Sequence, residues 1–341
     1  LFFLYSDQLL SITPNTQEQV DVLKNVSTQY ETALWQPVSS QYIKEETVVH
    51  LFVPANSSET VKNLLQKHAI THEVLLANAN ELIEMQTRND STDPRSSSTF
   101  YERYHSLEDI YYWINRTTQD NPGTVKAILL GSSYEKRPIY ALKVLKNRSY
   151  SKDSWCIGVD LNRNFDANWC TEGASSDPCT EIYCGAFPES EPESQAVANF
   201  LRSHKDTIQL YLTIHSYSQM LLFPYSYTYD QAENHNDLLE MAQEAAQQIR
   251  RHYRNTYKYG AGAQTIYLAP GGSDDWAYNL GIKYSFTFEL QDQGRYGFLL
   301  PPSHISKACN EALLAVKIIA LKVIEKTQAP SPDTRQTFSF V

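Results

Sequence analysis

Apolar positions fall in two periods along the chain. Thr47 to Val53 (TVVHLFV) has the β-branched and aromatic content of a strand, and Ser58 to Lys67 sets Val61, Leu64 and Leu65 on one helical face. Together they predict a small α+β unit over residues 5–90. The polar, charge-mixed stretch TRNDSTDPRSSST at 87–99 has no apolar periodicity and reads as an exposed linker. Beyond it, Ser106 is placed to cap a helix running to about Gln119, with Asp109 at its third position and Leu107, Ile110, Tyr111 and Ile114 as its apolar face. Arg137 to Val144 predicts a strand. Ile208 to His215 (IQLYLTIH) is a nearly continuous apolar run, the pattern of a strand covered on both sides. In the strand Tyr284 to Leu290, alternation separates Tyr284, Phe286, Phe288 and Leu290 from Ser285, Thr287 and Glu289. Asn236 to Tyr253 and Ser303 to Ile324 are amphipathic helices. This alternation predicts an α/β fold, a mixed and mostly parallel central sheet flanked by helices, behind the α+β unit. Residues 326–341 read as a loose tail.

Composition narrows the picture. The chain has 341 residues, 42% of them hydrophobic, so it can build a substantial core in two domains. No apolar run reaches the roughly 18 residues of a membrane span, so no membrane partner is expected. The formal charge of −10 argues against nucleic acid and suits basic peptides. Four of the five cysteines, Cys156, Cys170, Cys179 and Cys184, lie within 29 residues, and Cys309 stands apart. The close C-x-x-C pairs of a zinc site are absent, so disulfides in a secreted protein fit better. Sequons at Asn25, Asn56, Asn89, Asn115 and Asn147 support an extracellular location. Residues 1–4 are expected to be the end of a removed leader.

Candidate chemistry is scattered. His215 ends an apolar strand, where sites gather in α/β sheets, although a lone histidine is more often structural. Glu289, near the end of its strand, must be paired or functional if buried. Arg163, after Asn162, offers the planar fork that grips a carboxylate, yet a surface arginine is the plainer reading. In TIYLAPGGSDDW (265–276), Tyr267 precedes a glycine turn and Asp274-Asp275 follow it. That segment could close over a ligand or could be a loop with a helix cap at either aspartate. Arg95-Ser96 is open to a trypsin-like protease, or lies in an ordinary interdomain loop.

The ordered segments DLNRNF, CGAFPESEPE, IHSYSQ, TIYLAPGGSDDW and GIKYSFTFELQDQGRYGFLLP resemble the zinc metallocarboxypeptidases of the pancreatic A/B type, over about residues 5–324. The resemblance implies a carboxypeptidase-like fold with zinc as cofactor, and a zymogen with a pro-domain at 1–95, a catalytic domain at 96–325 and a tail at 326–341. Activation would be cleavage between Arg95 and Ser96. His215 matches the third zinc ligand, and Glu289 the general base. Asn162, Arg163 and Tyr267 match the holders of the substrate's terminal carboxylate, and Tyr217 matches a further substrate contact. Asp274 matches the acid that selects C-terminal Lys or Arg in B-type enzymes, so the implied partners are peptides and proteins with basic ends. Cys156 with Cys179, and Cys170 with Cys184, match family disulfides, and Asn25, Asn56 and Asn89 are the expected glycan sites.

One segment departs from this pattern. The family takes its first two zinc ligands from an H-x-x-E motif. Of the nine histidines here only His105 is followed three residues later by Glu, in HSLEDI, which matches the start of a helix. The missing segment should follow Val144, where the chain runs directly into Leu145-Lys146, leaving the catalytic domain about 75 residues short. The position of the oxyanion-stabilising Arg falls near Leu145. One ligand cannot hold zinc tightly, because a catalytic site needs about three. The expectation is a chain that does not retain zinc and does not turn over, with sheet neighbours left unpaired. Alternatives are a non-catalytic binder of basic peptide ends and an unstable splice or gene-model product.

Overall fold

A computed structural model describes residues 6–87, 100–120, 127–140 and 158–328. The N-terminal unit contains β1 (Gln8–Ile12), α1 (Gln17–Gln29), β2 (Ala33–Gln36), β3 (Val49–Val53), α2 (Ala55–Lys67), β4 (His72–Leu76) and α3 (Ala79–Thr87). Its sheet has the order β2-β3-β1-β4 and every pairing is antiparallel, with Leu10 opposite Leu51 at its centre. Val20, Leu23 and Val26 of α1 and Val61 and Leu65 of α2 pack on Leu10, Ile12, Val49, Leu51 and Val53. The helix expected from Ser58 starts earlier, at Ala55, because Pro54 fixes the extended residue before it. Thr16 caps α1, its side chain accepting from the Gln19 amide at 3.3 Å.

The second unit begins with α4 (Leu107–Asp120), capped as expected, the Asp109 amide donating to Ser106 Oγ at 3.1 Å. β5 (Leu129–Ser132) and β6 (Pro138–Tyr140) form a separate two-stranded sheet. The strand expected over Arg137–Val144 is described only as β6, and its remainder, with the join at Val144–Lys146, lies outside the described residues. Next come α5 (Pro192–His204), β7 (Leu210–Ser216), β8 (Met220–Phe223), α6 (His235–Tyr253), β9 (Lys258–Ala261), α7 (Gly262–Thr265), α8 (Ser273–Asn279), β10 (Tyr284–Leu290) and α9 (Ile305–Gln328). The helix α9 runs past the expected start of the tail at 326.

The main sheet has the order β7-β10-β8-β9. β7 and β10 are parallel, as are β8 and β9, and β10 and β8 are antiparallel. On one face, α6 and α9 bury Met241, Ala245, Ile249, Ala315 and Ile319 against Phe223, Phe286 and Phe288. On the other, Leu201 of α5 and Trp276 of α8 pack with Phe165 and Ile282.

The run Ile208–His215, expected as a strand covered on both sides, forms β7 at the edge of the sheet, paired among the described residues with β10 alone. Leu210 and Leu212 pack against one cluster and Tyr211 against the other, but the coverage is partial and Ile214 is 54% exposed. Leaving such a side chain in water forgoes about 1.5–3 kcal/mol relative to full burial.

Candidate functional site

Parallel register places Glu289 beside His215, Thr287 beside Thr213 and Ser285 beside Tyr211. Side-chain alternation therefore lines these six residues along one face. Asp274, in the first turn of α8, reaches the same face. It is buried, its Oδ2 accepts from Thr287 Oγ1 at 2.7 Å and its carbonyl accepts from Ser285 Oγ at 2.8 Å. Asp275 turns the other way, and its Oδ2 accepts from the amides of Ser226 (2.8 Å) and Tyr227 (3.0 Å). Burial, followed by the neighbouring Asp274 carboxylate, pushes Asp275 well above the usual carboxylate range.

Arg163 lies in the helical turn Leu161–Arg163, capped by Asp160, whose Oδ1 accepts from the Asn162 amide at 3.0 Å. The guanidinium is buried. Its Nε donates to the Gly173 carbonyl at 3.2 Å and its Nη1 to the Asn162 carbonyl at 2.9 Å, with Asp160 Oδ2 at 3.8 Å. Burial opposes its charge, but Asp160 and Tyr267 outweigh burial and raise its pKa. Asn162 Oδ1 accepts from the Ser273 amide at 3.2 Å, which ties this turn to α8. A glycine is required at 271: its φ is +77°, and a Cβ there would lie 2.2 Å from the Arg163 carbonyl oxygen. The close approach brings Tyr267 over Arg163, with the guanidinium carbon 6.0 Å from the ring centroid.

Asn162, Arg163, Tyr267, Asp274, His215 and Glu289 thus converge from four separate segments. Burial raises the Glu289 pKa to about 8; Asp274 adds to this and Arg163 opposes it. The same desolvation lowers His215 and keeps it neutral. Tyr217 is also buried, but its hydroxyl is engaged with the N-terminal unit, 3.0 Å from His50 Nδ1.

The N-terminal unit covers this face. Tyr42 stacks on Tyr267 at 5.6 Å between ring centroids and donates to the Leu268 carbonyl at 3.3 Å. Trp35 packs on Phe298 at 5.4 Å, and the ring of His50 lies against Gly294, where a Cβ would be 2.1 Å from Cε1. Asp292 shapes the receiving loop by accepting from the amides of Gly294, Tyr296 and Gly297 at 2.8–3.0 Å.

Residues 144–315 match the model of a zinc carboxypeptidase domain, and residues 10–86 match that of a carboxypeptidase activation peptide. The chain belongs to the zinc carboxypeptidase family. It is 42% identical to "Carboxypeptidase B2" of Bos taurus and 35% identical to "Carboxypeptidase B" of Rattus norvegicus, alignments that cover 95% and 94% of both partners. The crystal structure of thrombin activatable fibrinolysis inhibitor superposes with a TM-score of 0.89 at 41% identity, covering 94% of this chain and 99% of that one. The Bos taurus alignment runs over 401 positions, whereas this chain has 341 residues, so at least 60 aligned positions have no residue here.

The family implies zinc, and the donors can be tested against it. All nine histidines fall within the described residues, and no group of three His, Cys, Asp or Glu there could hold a metal. His215 Nε2 lies 3.0 Å from Thr213 Oγ1. His105 stacks on Phe100 and its Nε2 contacts the Phe100 carbonyl at 2.6 Å. Among the described residues a single imidazole, with no group of three donors around it, does not fit a site that needs about three protein ligands.

Cys170 is bonded to Cys184, and Cys309 is free. Cys179 is also disulfide-bonded. Its expected partner Cys156 lies outside the described residues, as do Asn89, Arg95, Ser96 and Asn147. Among the described residues no helix is long and apolar enough to cross a membrane. Sequence reasoning did not single out Thr213, Tyr42 or His50 for the site. The polar face of YSFTFEL did signal Thr287, the residue that anchors Asp274.

Proposed function

We propose that this chain is a secreted member of the family that holds peptides ending in Lys or Arg without cutting them. Asn162, Arg163 and Tyr267 grip the terminal carboxylate, Asp274 pairs with the basic side chain, and Tyr217 lines the approach. One observation carries the reading: the groups for a peptide end converge on His215, whereas among the described residues partners for a metal do not. A buried Asp274 favours a cation because pairing offsets the desolvation of its charge. With no metal held at His215 to activate a water, Glu289 would have no nucleophile to generate.

In the uncleaved chain Tyr42 sits on Tyr267, so the site opens only when residues 1–95 leave after a trypsin-like cut between Arg95 and Ser96. Residues 96–325 then form the binding unit, with 326–341 as a tail. The Cys156–Cys179 bridge and glycans on Asn25, Asn56 and Asn89 belong to the same extracellular reading.

The test combines three measurements on one trypsin-treated sample: zinc content, hydrolysis of an arginine-ended peptide, and calorimetric binding of that peptide. The expected result is substoichiometric zinc, no turnover and saturable binding. One equivalent of zinc with turnover would overturn the reading. The edge of β7 that has no partner among the described residues favours a second one, an unstable product, for which the expected result is a broad, non-cooperative melt.

A further inference from the structure

We infer that Asn115 carries an N-linked glycan, and that this glycan stays with the part of the chain downstream of Arg95. The inference rests on the secreted reading above. Asn115-Arg116-Thr117 is a sequon on α4. Asn115 is exposed, whereas its neighbour Ile114 is buried and Tyr111 is tied inward by its hydroxyl, which donates to the Pro138 carbonyl at 2.7 Å. An added chain at 115 therefore projects into solvent and displaces no packing.

A second contrast favours this site. At Asn56 the nitrogen that would bear the sugar already donates to Glu31 Oε2 at 2.9 Å. At Asn115 the side-chain amide makes no hydrogen bond among the described residues. Tyr112 lies three residues earlier, on the same helical face, and is 54% exposed. It offers an apolar plate beside the first sugar.

The transfer forms a bond between Asn115 Nδ2 and the sugar C1 and breaks the bond from C1 to the pyrophosphate of a lipid-linked oligosaccharide donor. The amide proton departs with the lipid pyrophosphate. Three of the other sequons, Asn25, Asn56 and Asn89, lie upstream of Arg95 and would leave with the pro-domain, and Asn147 lies downstream.

The test uses the full chain secreted from a glycosylating cell line, cut after Arg95, with the fragments separated and treated with peptide N-glycosidase in heavy-oxygen water. The expected result is a downstream fragment that loses the mass of a glycan, with a heavy aspartate at 115. Asn115→Gln and Thr117→Val each remove that change, and Asn147→Gln leaves it. Glycan on the upstream fragment but none at 115 overturns this inference alone. Absence of glycan from both fragments overturns it too, and a chain that never reaches the medium overturns the secreted reading on which it rests.

Discussion

The two sheets are completed differently. In the N-terminal sheet, β1 and β3 are paired on both edges and four of the five residues in each are buried. In the main sheet, β7 has an equally apolar sequence, yet among the described residues it is paired on one edge, and none of its seven residues is buried. An apolar run states what a strand needs. It does not supply the neighbours, which come from elsewhere in the chain. Here at least 60 positions of an aligned relative have no counterpart. The N-terminal unit is continuous and closes on itself, whereas among the described residues the main sheet stops at β7.

Truncations test this contrast most strongly. Leu51→Ala in β3, where Leu51 is 1% exposed, should cost about 2–5 kcal/mol by denaturant unfolding. Ile214→Ala in β7 should change stability by only about 0.5 kcal/mol, as exposed substitutions do. A cost above about 2 kcal/mol at Ile214 would mean that the carboxyl end of β7 is covered after all, and the comparison would fail.

The site gives the next largest effect, because its charge is buried where the sheet is still complete. Asp274→Asn should weaken binding of an arginine-ended peptide to the cleaved chain by about 2–5 kcal/mol, well over tenfold, leaving a buried cation unpaired. A leucine-ended peptide should be unaffected or bind better. Equal losses for both peptides in calorimetric titration would show that Asp274 supports structure and does not select the ligand.

Much of this was legible from residue pattern. The alternation in YSFTFEL set Ser285, Thr287 and Glu289 on one face, and the structure uses two of them to hold Asp274. The boundaries of β10 and the cap on α4 followed from local chemistry, which a sequence carries directly. The edge position of β7 did not, because edge or centre is decided by strands remote in sequence. Nor did the Tyr42–Tyr267 and His50–Tyr217 contacts: each joins residues more than 160 positions apart, and nothing local to either marks them as partners.

Those contacts provide a smaller test, at the boundary between the two sheets. Tyr42→Ala removes one stacked aromatic pair and one hydrogen bond. It should loosen the pro-domain by about 0.5–1.5 kcal/mol, seen as a severalfold gain in peptide binding by the uncleaved chain. No gain would mean that the N-terminal unit does not gate the site.

The smallest effect should come from pH at His50. Burial lowers its pKa below the ordinary 6.5, and the nearby Asp292 only partly offsets this. Above about pH 6.5 His50 is neutral whether the unit is docked or released, so the contact is intact. As pH falls below that value the released form takes up a proton that the docked form resists. The released state then binds more protons, and docking weakens until the pH reaches the lowered pKa. Peptide binding to the uncleaved chain should therefore rise between pH 7.5 and 5.5, by less than the gain from Tyr42→Ala. His72 and His215 are lowered too, so the informative quantity is the difference between wild type and His50→Gln. Glutamine keeps a polar partner for Tyr217 but cannot titrate, and its profile should be the flatter of the two. Parallel profiles would assign the pH response to other groups, Glu289 with its raised pKa and the other histidines among them, and leave His50 as a packing and hydrogen-bonding contact that does not titrate in this range.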